Sequence, residues 1–331
     1  MSAQHRRHIL ATLGSAILIG LLALPANAAK PTATPPPNTG NVKGCVGCHD
    51  DTDLISSKHA QWSLSRHATG EAFLRGTIGR CAGCHSGGGF VQRVLDGLLP
   101  DQADGDPSPS RQDCRACHQI HTTYTPADWA LETTAAVDLY AIPGSTFDKG
   151  TGNLCASCHQ PREDFPVPED GMVGGISEHW GPHHGPQSAM MLGVGGSTTG
   201  APATHYSSDQ LPDGCVSCHM GANKIHSFEP DTSVCTTCHG SNYDYEEATQ
   251  DIRDALDALG DELVSCDLLT ENSPDGHPTD RITAAGATIP EDEAAALWNW
   301  LYIAHEDKSM GVHNPGYTRT LLAESTFTCS K

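Results

Sequence analysis

Residues 81–85, CAGCH, carry a pattern that the chain repeats and that decides its fold. The six copies are CVGCH at 45–49, CAGCH at 81–85, CRACH at 114–118, CASCH at 155–159, CVSCH at 215–219 and CTTCH at 235–239. Two thiols at this spacing can form thioethers with the two vinyl groups of one porphyrin, and the histidine that follows lies under the iron. Structural zinc sites and redox dithiols also use paired cysteines, but neither needs a histidine directly after every pair. The sequence therefore predicts six covalent c-type haems.

The attachment residues follow directly from this pattern. The predicted thioether cysteines are Cys45, Cys48, Cys81, Cys84, Cys114, Cys117, Cys155, Cys158, Cys215, Cys218, Cys235 and Cys238. The predicted proximal histidines are His49, His85, His118, His159, His219 and His239. Aromatic residues make up only 5% of the chain, which has 34 glycines and 22 prolines, so the porphyrins would supply hydrophobic bulk that the side chains lack. We expect a multihaem cytochrome c, loop-rich with short helices packed around six haems, plus a small C-terminal helical cap.

The chemistry of each iron depends on its sixth ligand, since a protein ligand closes the iron to substrates and leaves an electron carrier. Histidines outside the six motifs are numerous enough to close every iron. The predicted distal ligands are His67, His121, His183, His184, His205 and His226, with His59 and His313 in reserve. We expect His179, His277 and His305 to have no such role. Surface or core positions without a ligand role are the alternative for each candidate.

The segment GPHHGP at 181–186 holds two adjacent candidates, His183 and His184. Its prolines disfavour a helix, so an extended backbone is expected. Consecutive side chains of an extended chain point to opposite sides. The two histidines would then reach two different haems and tie them together, unless both are surface residues.

The N-terminus has the pattern of an export signal. Basic residues precede an apolar run, and ANAA at 26–29 offers a cleavage site after Ala28. We therefore predict a signal peptide at 1–28 and an exported protein, in the periplasm or outside the cell, that does not span the membrane after cleavage. A retained anchor is the alternative. The net charge of −21 argues against binding nucleic-acid phosphates.

The remaining chain divides into three predicted parts. Residues 29–44 read as a flexible leader, residues 45–245 as the hexahaem electron-transfer domain, and residues 246–331 as the helical cap. Apolar residues at 252, 256, 259 and 263 have helical spacing. Cys266 and Cys329 lie outside every motif, and we predict that they form a disulfide in an oxidising compartment.

Several segments together resemble a known family. CAGCHSGGGF, CRACHQIH, LCASCHQPRE, HWGPHHGPQSAM and DKSMGVHNPGYTRTLL occur in this order. They are similar to the extracellular multihaem c-type cytochromes of metal-reducing bacteria, a group that includes tetrahaem and hexahaem subunits of cytochrome filaments, or nanowires. The resemblance covers most of residues 59–325. It implies a bis-histidine haem chain that carries electrons and can polymerise end to end.

The resulting functional hypothesis is electron transport without enzymatic catalysis. Expected partners are other redox proteins or extracellular electron acceptors. Copies of the chain in a head-to-tail homopolymer are a further expected partner, and a monomeric periplasmic shuttle is the alternative. His59 is the predicted donor of an axial ligand across a head-to-tail contact. The alternative from another class is a multihaem reductase of nitrite, hydroxylamine or a sulfur oxyanion, which needs one open iron. All six motifs end in histidine, and this favours the carrier.

Overall fold

A computed structural model describes residues 53–272 and 282–330. The predicted signal peptide, the leader, the first attachment motif with Cys45, Cys48 and His49, and His277 lie outside the described residues. Within the described ranges, no helix combines the length and the apolar composition needed to cross a bilayer.

Short helices separated by loops make up residues 53–248, as expected for a chain rich in glycine and proline. The α-helices are α1 (Asp53–Ser63), α2 (Arg66–Thr69), α3 (Gly79–His85), α4 (Gly87–Asp96), α5 (Cys114–Cys117), α6 (Gly152–Ala156), α7 (Gln187–Leu192), α8 (Thr204–Ser207), α9 (Cys215–His219), α10 (Thr236–His239) and α11 (Tyr245–Ala248). Four 3₁₀ turns lie at Ala72–Thr77, Pro100–Gln102, Pro126–Trp129 and Thr232–Val234.

Local side-chain chemistry sets the ends of these helices. Ser86 separates α3 from α4 and caps α4, because its hydroxyl accepts the N–H of Gly89 and donates to Asp106. Gly97 ends α4 in the left-handed conformation, at φ 64°. Ser86 therefore fixes the boundary between α3 and α4, and Gly97 fixes the end of α4.

Longer helices occupy the C-terminal part. They are α12 (Gln250–Ser265), α13 (Glu291–Trp300), a π-helical segment (Leu301–Asp307) and α14 (Pro315–Glu324). Helix α12 buries Ile252, Leu256, Leu259 and Leu263. The Asn314 side chain caps α14 by accepting the N–H of Tyr317, and Cys266 and Cys329 are joined by a disulfide with their Cα atoms 5.5 Å apart.

Strands are few and short in the described residues. The antiparallel pair β1 (Val137–Asp138) and β2 (Thr146–Phe147) forms one ribbon. The pair β3 (Met172–Val173) and β4 (Ile289–Pro290) joins the middle of the chain to the start of α13. This helix-rich, loop-rich architecture with few strands agrees with the fold predicted from the sequence.

The apolar core lies mainly in the C-terminal part and is shared with the middle of the chain. Trp298, Trp300 and Tyr302 are at most 1% exposed. Leu139 and Met190 belong to the same buried cluster. Hydrogen bonds from the Trp298 indole to Gly195 and from the Tyr302 hydroxyl to Val194 fix the contact. The core thus crosses the predicted boundary at 245, and the division at that residue stays a prediction.

Candidate haem-iron sites

Each of the five described attachment motifs lies on or overlaps a short helix. Helices α3, α9 and α10 end at the motif histidine, α5 ends at the residue before it, and α6 ends at Ala156, three residues before His159. A helical turn brings cysteines three residues apart to one side. The two thiols and the following imidazole therefore face a common space.

A second imidazole lies opposite each of these five proximal histidines. The ring-centroid separations are 6.0 Å for His85 and His183, 6.3 Å for His118 and His226, 6.2 Å for His159 and His67, 6.2 Å for His219 and His313 and 6.1 Å for His239 and His205. We number the sites 2 to 6 by their attachment motifs, so that site 2 contains His85 and site 6 contains His239.

The common separation fits an iron held between two imidazoles. A metal about 2 Å from one nitrogen of each ring places the two ring centroids about 6.3 Å apart. The His184 and His305 rings are also 6.1 Å apart, but neither belongs to an attachment motif. In each of the five pairs one ring does belong to an attachment motif, and this combination points to a haem iron. The residues present therefore fit a haem iron with two axial histidines at each of the five sites.

The other ring nitrogen of most of these histidines is anchored, as expected for metal ligands. His118 Nδ1 lies 2.7 Å from the carbonyl oxygen of Trp129, and His219 Nδ1 lies 2.9 Å from that of Phe228. His159 contacts the Gln187 side chain, and His313 Nδ1 lies 2.7 Å from Asp307 Oδ1. With Nδ1 anchored in this way, Nε2 is the ring nitrogen that would bind an iron.

Burial keeps most of the paired imidazoles neutral, which is the form that binds metal. It lowers the pKa of His67 to about 4 with help from the charge of His159, and it lowers the pKa of His183 to about 3 with help from Arg162. His313 is different. Burial lowers its pKa, but the Asp307 carboxylate outweighs burial, and the pKa of His313 is raised.

Phe228 lies where three sites meet. Its ring is 5.0 Å from that of His67 in site 4 and 5.9 Å from that of His226 in site 3. Its carbonyl accepts from His219 of site 5. Phe228 has a φ of 60°, a strained conformation for a bulky residue. One strained residue thus links sites 3, 4 and 5.

Arg93 connects sites 2 and 4. This side chain is 5% exposed and packs over the Phe90 ring. Its guanidinium lies 3.6 Å from Cys84 Sγ of site 2 and donates to the Ser157 carbonyl of site 4 at 3.0 Å. A buried cation therefore lies between two attachment motifs.

Site 4 is also in close contact with site 5. A Cβ atom on Gly152 would lie 2.7 Å from the Asp213 carbonyl oxygen and 3.2 Å from the Cys215 amide nitrogen. Only glycine allows this approach. Sites 5 and 6 are joined by a hydrogen bond from the Asp231 N–H to the Cys218 carbonyl. The contacts between sites therefore include a pair, sites 2 and 4, that is not consecutive along the chain.

Three predicted or reserve ligands lie elsewhere. His121 has a φ of 62° and stacks on Tyr124 at 5.4 Å. His59 lies on α1 with its ring 5.6 Å from that of Trp62. His184 Nδ1 contacts Glu306 Oε2 at 2.7 Å, and its ring lies 6.1 Å from that of His305.

The expected geometry of the GPHHGP segment is wrong. The His183 and His184 rings are 5.0 Å apart, too close for opposite sides of an extended strand. His183 has a φ of 76°, and Gly181 and Gly185 also have positive φ values. The prolines exclude a helix, but the flanking glycines allow a tight turn that an extended chain lacks.

Sequence reasoning missed Phe228, Arg93, Asp307, Glu306 and His305. Burial raises the pKa of Glu306, but hydrogen bonds from His184 and His305 lower it to about 2. The acidic pair in AHED at 304–307 could have indicated the contacts of Glu306 and Asp307 with histidines, because buried carboxylates at a helix end need partners. Phe228 and Arg93 gave no signal, since their roles arise from tertiary contacts.

Comparisons with known proteins bear on the fold. No family model matches the chain, and no curated protein matches it. Among solved structures, the outer cell wall cytochrome OcwA matches with a TM-score of 0.50 and 20% identity, over 81% of this chain and 49% of OcwA. The undecahaem S-layer cytochrome of Carboxydothermus ferrireducens matches with a TM-score of 0.40 and 18% identity, over 80% of this chain and 39% of that one.

The chain spans about half the length of OcwA. At 20% sequence identity, the match shows a similarity of fold alone. The resemblance to multihaem cytochromes inferred from the sequence is confirmed at this level. The five facing histidine pairs and this structural likeness lead to one conclusion: the chain has the fold of a multihaem cytochrome.

Proposed function

We propose that this chain is an exported hexahaem c-type cytochrome that carries electrons along a chain of bis-histidine haems. The observation that carries the proposal is the set of five facing histidine pairs, each separated by 6.0 to 6.3 Å. Covalent haem supplies reversible one-electron chemistry at each site. At each of sites 2 to 6 the paired histidines would hold the iron and exclude exchangeable ligands.

The contacts between sites support rapid transfer. Arg93 joins sites 2 and 4, Phe228 joins sites 3, 4 and 5, and the Asp231 backbone joins site 6 to site 5. Site 4 is the common neighbour in this arrangement. We propose that electrons entering at site 2 or 3 reach site 6 through sites 4 and 5.

Carbon monoxide binding to the reduced protein tests the closed irons. Five irons with two histidines each should resist carbon monoxide, and intact mass should show six covalent haems. The reductase alternative requires one open iron. Strong carbon monoxide binding at any of sites 2 to 6 would contradict the carrier proposal and call for assays with nitrite and hydroxylamine.

We also propose head-to-tail assembly of the exported chain into a filament. The support is the predicted export signal and the resemblance to filament subunits. The five pairs all come from one chain, so a neighbour would need to supply a ligand only at the first haem. His59 remains the proposed donor. Electron microscopy of material sheared from cells should show fibres, and finding monomers alone would reject the assembly.

A further inference from the structure

A cluster of three potential metal ligands lies outside the five histidine pairs. One ligand atom each of His184, His305 and Glu306 lies within 4.8 Å of the other two. The two carboxylate oxygens face different rings. His184 Nδ1 is 2.7 Å from Oε2, and His305 Nδ1 is 3.6 Å from Oε1.

The fold holds these three side chains in place from two directions. His305 and Glu306 belong to the π-helical segment Leu301–Asp307. Such segments are rare and occur frequently at functional sites. His184 comes from the tight turn between Gly181 and Gly185, both at positive φ. The turn packs on the π-helical segment, because a Cβ atom on Gly181 would lie 3.7 Å from Leu301.

Two of the three side chains are buried and the third is exposed, an arrangement that suits ion binding. The side chains of His305 and Glu306 are each 2% exposed, whereas that of His184 is 44% exposed. Two ligands are therefore rigidly packed, and the third leaves a path for an ion to enter. The net charge of −21 also attracts cations to the protein.

The donor set selects the class of ion. Two imidazoles and one carboxylate suit borderline cations such as Zn²⁺, with water in the fourth position. Calcium and magnesium prefer sites made entirely of oxygen. We propose that His184, His305 and Glu306 bind a divalent first-row transition metal ion, and Zn²⁺ is the probe that tests it.

The site adjoins site 2, since the rings of His184 and His183 are 5.0 Å apart. A dication there would favour the reduced, less positive iron of that haem. Metal binding should therefore raise the midpoint potential of one haem. The cluster itself is built from protein side chains, so its affinity for zinc can be measured independently of the electron-transfer proposal.

The test uses isothermal titration calorimetry of oxidised full-length holoprotein, cleared of metal with EDTA and titrated with zinc chloride at pH 7. One site of micromolar or tighter affinity is expected. Glu306→Gln and His305→Gln should each weaken it at least tenfold. Glu163→Gln is the matched control, because Glu163 is an exposed carboxylate paired with Arg162, and it should leave the affinity unchanged.

Two further measurements test whether these residues bind zinc directly. His184→Ala should weaken zinc binding and leave the low-spin haem spectrum unchanged. If it instead creates a high-spin haem that binds carbon monoxide, His184 is a haem ligand and the proposal is wrong. Zinc X-ray absorption of the wild-type protein with one equivalent should show two imidazoles, and their absence would also overturn it. Haem content and spectrum, recorded on the same samples, report separately on the proposed electron-transfer function.

Discussion

Replacing Asp307 with asparagine should raise the midpoint potential of the haem in site 5. The Asp307 side chain is fully buried, and its Oδ1 lies 2.7 Å from His313 Nδ1. An iron bound to the far nitrogen of that ring would lie about 7 Å from the carboxylate. A negative charge at this position favours the oxidised iron and lowers the potential. Asparagine keeps the acceptor oxygen and removes only the charge.

The magnitude follows from the distance. Two unit charges about 7 Å apart interact by about 2.4 kcal/mol at an effective dielectric constant of about 20. For a one-electron couple, this corresponds to an upward shift of about 100 mV. Spectroelectrochemical titration of the two proteins should show one component of the redox curve moving by that amount.

A matched control separates this charge from surface effects. Glu229 also acts on site 5 through the charge of its carboxylate near His219, but it is exposed. Glu229→Gln should shift the potential by less than about 30 mV, because water and salt screen an exposed charge. An unchanged or lowered potential in Asp307→Asn, with haem content intact, would show that the Asp307 charge does not lower the potential of the haem in site 5.

Three further predictions concern other parts of the molecule. His183→Ala should open the iron of site 2 and let one haem bind carbon monoxide, whereas His179→Ala in the same segment should not; carbon monoxide difference spectra decide this. Arg93→Gln should lower one or two midpoint potentials by about 70 mV, because a buried cation about 10 Å from an iron favours its reduced state. Redox titration measures the shift, and a rise in these potentials would contradict the prediction. Replacing both Cys266 and Cys329 with serine should lower the free energy of unfolding by about 2–4 kcal/mol, measured by denaturant titration, and equal stability would show that the disulfide adds nothing.

The parts of the sites that could be predicted are those fixed by covalent chemistry. Thioether formation requires two cysteines and a histidine at one spacing, so the motif containing Cys81, Cys84 and His85 can be read directly from the sequence. The helices can also be predicted from local sequence patterns. The four apolar positions of α12 were predicted from their period, and the structure buries all four.

The second ligand of each iron follows no local rule. His313, predicted only as a reserve, lies opposite His219, whereas His121 stacks on a tyrosine. Both choices depend on how loops distant in sequence pack around a porphyrin, and no period or spacing encodes that. The π-helical segment that brings His305 and Glu306 together is similar, because all seven of its residues are buried and no apolar face marks its period.

The most direct test of a bis-histidine haem chain is an iron anomalous-difference map of crystals of the holoprotein. We expect one iron midway between the two rings of each of the five pairs, including His67 with His159 and His205 with His239, and a sixth iron beside His49. A peak missing from between any of the five pairs, or an iron in these sites with a protein ligand on one side only, would contradict the bis-histidine haem chain.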